Sequence, residues 1–128
     1  MRAVALSNAN PSQVIQLHAR RDVREAASAS RAIDAELRFV RDRLLALTSA
    51  GGLFEAHGSR EGRTLLGAQE LLFSARAHLR ERSGEGALPA PRLEATREKL
   101  LSQAQEKLAR ARRRLGREGA DGRLEAHR

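Results

Sequence analysis

The chain has 128 residues, with 24 Lys or Arg against 16 Asp or Glu, for a formal net charge of +8. Its apolar residues are 19 Leu, four Val, three Phe, two Ile and one Met, with 23 Ala, a stock of strong helix formers with few of the β-branched and aromatic residues that strands favour. The absence of Cys excludes disulfides, thiolate nucleophiles and Cys-ligated zinc, and no run approaches the roughly 18 apolar residues needed to span a bilayer. The length suits one domain. These features predict an all-α, soluble, cytoplasmic protein.

The first ten residues carry one Arg and a short apolar patch, less than a signal-peptide core requires. They read as a flexible N-terminal arm before a helical domain over 11–115 and a polar tail over 116–128. Asn10-Pro11-Ser12-Gln13 is a helix start: Asn10 can cap, Pro11 suits the first helical position, and Gln13 stands where a capping-box partner belongs.

From Pro11 no Gly or Pro interrupts before Gly51. Within this stretch Ile33, Leu37, Val40, Leu44 and Leu47 recur at steps of four and three, which lays them along one stripe of a helix, with Asp34, Glu36, Arg38, Arg41, Asp42 and Arg43 on the remainder. The same rhythm continues backwards through Ser30, Ala26, Val23 and Ala19 with smaller residues. One helix from about 11 to 49 would be about 58 Å long at 1.5 Å per residue; a break at Ser28-Ala29-Ser30 would make two helices of it. The continuous helix is the expectation.

Gly51-Gly52 supplies the positive-φ residue that ends such a helix. Leu53 and Phe54 then fall in a connector to Gly58, where they are expected to fold back over the end of the bundle; an exposed partner contact is the alternative. Ser59 can cap a second helix at about 60–82, in which Leu65, Ala68, Leu72, Ala75 and Leu79 form the apolar row, flanked by Leu66 and Phe73. Gly67 in this helix suggests a close helix crossing. Ser83 to Pro91 is a break. The third helix, about 91–115, has Leu93, Thr96, Leu100, Ala104, Leu108, Ala111 and Leu115 inward, with Leu101 beside them, and Gly116 at its C-cap. The predicted fold is an up-down bundle of three long helices.

The net charge is concentrated near the C-terminus. Residues 1–58 carry +2, residues 59–86 +1 and residues 87–128 +5. Lys107, Arg110, Arg112, Arg113, Arg114 and Arg117 stand together with no acid among them. Cations at a helix C-terminus complement the macrodipole, which accounts for one or two of the six. The others suit an anionic partner, either a nucleic-acid backbone or an acidic protein or membrane surface. With no Trp or Tyr there is little to stack on single-stranded bases, and the connectors are too long for a helix-turn-helix. Nucleic-acid binding would therefore be backbone-led and sequence-neutral.

Signals for an enzyme are weak. None of His18, His57, His78 and His127 has a Glu three residues before it, the spacing of di-iron bundles. His57 and His78 could meet in space but lack further ligands. Gly58-Ser59-Arg60-Glu61-Gly62 is not a nucleophile elbow, because His57 stands where that motif needs Gly, and Gly62 and Gly67 have P-loop spacing but Ala68 stands where the Lys is required. No cofactor, metal or small-molecule substrate is indicated. The sequence points to a non-enzymatic assembly or adaptor protein that acts through helix faces and self-associates, or docks on a partner helix, along a small-residue seam of Ala19, Val23, Ala26 and Ser30. The second reading is a basic accessory protein that binds DNA or RNA backbone through the Arg-rich helix end.

Overall fold

A computed structural model describes residues 11–83 and 90–118 of the chain, and the side chains of 21–83 and 94–118. Three helices pack against one another: α1 over Pro11–Gly58, α2 over Arg60–Ser83 and α3 over Ala90–Leu115. There is no strand among the described residues. The expected arm over 1–10 with its Asn10 cap, the break over 84–89 and the tail from 119 onward lie outside the described residues.

α1 passes through Ser28-Ala29-Ser30 without a break. Ser28 and Ser30 face solvent while Ala29 is buried in the core, so packing on both sides of the short serines holds the helical path. The break comes instead at Gly52, whose φ of 75° and ψ of −170° leave the helical region, a conformation that glycine adopts without a Cβ penalty. Residues 53–58 then coil again, so the connector is itself a helical turn.

Leu53 and Phe54 do not fold back as expected: they are 69% and 84% exposed. The turn buries Ala56 in their place, against the start of α2. Ser59 caps α2, its Oγ accepting from the Gly62 N–H at 3.0 Å, which satisfies one of the free donors of the first turn. Gly62 is the position of close approach. A Cβ there would overlap the backbone carbonyl of Ala56. At Gly67 an added Cβ would meet only the guanidinium end of Arg114, so no backbone comes close at Gly67, and the tight approach is at Gly62, against the turn that leads into α2.

The core joins Ala29, Ile33 and Val40 of α1, the whole expected row Leu65, Ala68, Leu72, Ala75 and Leu79 of α2, and Leu101, Ala104, Leu108 and Ala111 of α3. Leu37, Leu44 and Leu47 pack half-buried at its edge. Five alanines in this list allow the backbones to approach closely while leucines fill the space between them.

Cross-helix pairs set the directions. Asp22 pairs with Arg82 and Arg43 with Glu61, so numbering falls along α2 as it rises along α1. Lys107 meets Ser74 and His78, and Arg114 lies over Gly67, so α3 reverses again. α3 therefore ends level with Gly67 on α2. The stretch from Arg41 to Leu66 continues beyond that point as a two-helix hairpin, with no third helix beside it among the described residues.

Two glycine substitutions test this placement by urea denaturation followed by helical circular dichroism. Gly62→Ala should lose about 1–3 kcal/mol through overlap with backbone that cannot give way. Gly67→Ala should be neutral or gain up to about 1 kcal/mol, because alanine is the better helix former and the Arg114 side chain can swing aside.

Candidate functional site

The basic end of α3 is built by a helix terminus and two neighbouring helices. Gly116 takes a φ of 68°. Its N–H donates to the Arg113 carbonyl at 3.2 Å, and the Arg117 N–H donates to the Arg112 carbonyl at 2.8 Å. This paired 5→2 and 6→1 arrangement is the Schellman cap. It satisfies two of the last helical carbonyls and turns the chain so that Arg117 returns to the bundle.

Arg117 is thereby brought to α1. Its guanidinium carbon lies 4.1 Å from the centre of the Phe39 ring, within the range of a cation–π interaction, and its Nε donates to Glu36 Oε1. Arg112 reaches the same carboxylate from within α3, Nε donating to Glu36 Oε2 at 3.0 Å. Glu36 is 1% exposed. A carboxylate so enclosed loses hydration worth several kcal/mol, and only well-placed opposite charges and hydrogen bonds offset that loss. One guanidinium on each oxygen supplies both.

Glu36 was expected among the solvated charges of α1. The buried line on α1 is instead Ala29, Ile33, Glu36 and Val40, a four-three-four rhythm as regular as the all-apolar stripe beside it. The helix is rotated slightly from the sequence expectation so that this carboxylate faces the end of α3.

The six expected anion-binding residues therefore separate. Arg112 and Arg117 are held on Glu36. Lys107 donates to Ser74 Oγ at 2.6 Å and lies 2.9 Å from His78 Nε2. Neither partner is a carboxylate, so the ammonium charge is not cancelled by an acid. Arg110, Arg113 and Arg114 are exposed. Arg112 points about 200° around the helix from Arg110 at 100° per residue, which is why neighbours in sequence serve opposite faces. An open groove between α2 and α3 is lined by Gly67, Glu70, Ser74, Lys107, Arg110 and Arg114.

The small-residue seam is placed less uniformly. Val23 is 62% exposed, Ser30 is exposed, and Ala26 packs half-buried against the core. The side chain of Ala19 lies outside the described residues, as do those of His18 and His127. His57 is exposed in the turn after Gly52, whereas His78 lies in the middle of the bundle with Lys107, so the two histidines are not brought together. Among the described residues no three His, Asp or Glu side chains form a metal site, and no helix is long and apolar enough to cross a membrane.

The Glu36 arrangement predicts a particular pattern of losses in urea denaturation. Arg112→Ala and Arg117→Ala should each cost about 1–2 kcal/mol, since the carboxylate keeps one charged partner. The double variant should cost about 3–5 kcal/mol or more, exceeding the sum of the singles, because it leaves a buried charge uncompensated. No family model, curated protein or solved structure matches the chain.

Proposed function

We propose that the chain is a non-enzymatic assembly protein, an up-down helical bundle that pairs with a second copy of itself through the tip of the α1–α2 hairpin. The observation that carries this reading is the group of apolar side chains exposed there: Leu45 at 59%, Leu53 and Phe54. They lie on the stretch of hairpin beyond the end of α3. Single exposed hydrophobes are ordinary on a protein surface, but several on an uncovered helix pair suit an interface.

Charge favours self-pairing at this end. Residues 41–66 hold Arg41, Arg43, Arg60 and Arg63 against Asp42, Glu55 and Glu61, a net +1 of the chain's +8. Two copies meeting tip to tip keep their basic α3 ends apart, whereas docking through α3 would bring like charges together. A two-fold pairing of hairpins would also complete a four-helix arrangement, in which each exposed leucine finds an apolar partner.

Size-exclusion chromatography with light scattering tests the proposal. The mass should rise from the 14.1 kDa of one chain to twice that value as concentration increases from micromolar towards millimolar. Leu53→Asp/Phe54→Asp should remain monomeric throughout with unchanged helicity, since neither side chain is part of the core. A wild-type protein that stays monomeric over the whole range, or a double variant that still dimerises, contradicts the proposal.

A further inference from the structure

We infer that the groove between α2 and α3 is a binding site for the phosphate backbone of double-stranded nucleic acid, served by Lys107, Arg110 and Arg114 with Arg113 beside them, and not by the whole Arg-rich segment. Lys107, Arg110 and Arg114 are three and four residues apart and share one helix face. They border one open groove and span about 10 Å along α3 at 1.5 Å per residue. Lys107 is steadied by a hydroxyl and an imidazole, not by a carboxylate. None of Lys107, Arg110, Arg113 and Arg114 forms an ion pair with any acid among the described residues. Glu70 is the one acid on the groove wall.

The shape and lining of the groove select the ligand. It is open to solvent and not an enclosed cavity, which suits a polymer laid across it better than a small molecule. No aromatic ring lines it; Phe73 faces a different groove, between α1 and α2, with Asp34, Arg38 and Arg76. Unstacked bases of a single strand would find no platform. What remains is a row of cations able to contact successive phosphates of a duplex, which carries no sequence information.

Counting the cations makes the inference quantitative. If four of them each displace one counterion from a duplex, log K falls with log salt at a slope of about −3.6, and affinity drops about 150-fold between about 50 and 200 mM salt. If Arg112 and Arg117 also took part, six contacts would give a slope of about −5.4 and a loss of about 1,800-fold over the same interval.

The test is fluorescence anisotropy of a short labelled DNA duplex titrated with the full chain at several salt concentrations. Expected are binding at low salt, a loss near 150-fold, and equal affinity for two duplexes of unrelated sequence. Lys107→Ala/Arg110→Ala/Arg114→Ala, with helicity and melting checked by circular dichroism, should retain only the Arg113 contact and a loss of about 3.5-fold over that interval. The inference is overturned by an absence of binding at low salt, as an acidic-protein site would give. It is overturned equally by a folded triple variant that binds like the wild type, or by a salt dependence near the six-contact value. The titration is run below the concentration at which the chain pairs, so the contact count is that of one copy, and pairing at the hairpin tip is read separately from mass.

Discussion

Two guanidinium groups closing on one buried carboxylate govern how this molecule is arranged. Glu36 is the most deeply enclosed charged side chain described, and it can be so only because Arg112 and Arg117 occupy both of its oxygens. That requirement fixes where α3 must stop. Arg112 has to reach α1 from the last helical turn, and Arg117 has to return after the helix has ended. The Gly116 cap makes the return possible, and the Phe39 ring receives the guanidinium that arrives.

The other distinctive features are consequences of that stop. Because α3 ends level with Glu36 and Gly67, the α1–α2 pair extends beyond it, and its apolar residues have no third helix to cover them. Because Arg112 and Arg117 are turned to α1, the cations left facing outward are those on the α2 side and the exposed edge of α3. An apolar, nearly neutral end and a basic flank are thus separated along the same bundle. The proposed pairing surface and the proposed anion-binding groove therefore share no residues.

Helix positions were largely legible in the sequence because they rest on local chemistry. Pro11, Gly52 and Gly116 act through their own backbone and Ser59 through a hydroxyl three residues from its partner, and the Leu/Ala rows of α2 and α3 follow from period alone. What was not legible depended on other helices. Glu36 lies on a face as regular as its apolar neighbour Leu37, and only the arrival of Arg112 and Arg117 decides which is enclosed. The six clustered cations look alike in sequence, since charge is shared and direction is not. Leu53 and Phe54 follow a residue at positive φ, which announces a change of path without giving its direction. Gly62 and Gly67 are both helical glycines, and only the Ala56 carbonyl distinguishes the one that cannot carry a side chain.

The most direct measurement of the central claim is the Nε–H region of the arginine side chains in a ¹⁵N-labelled sample, observed by heteronuclear NMR with hydrogen exchange. An Nε–H that donates to a buried carboxylate is shifted and protected from solvent, whereas an exposed one exchanges rapidly. Arg112 and Arg117, assigned by single Lys substitutions, should give two resolved, slowly exchanging signals, and both should collapse in Glu36→Gln while Arg110, Arg113 and Arg114 stay in the fast-exchanging envelope throughout. Arg112 and Arg117 signals that exchange as fast as those of Arg113, or that are unmoved by Glu36→Gln, would contradict the account.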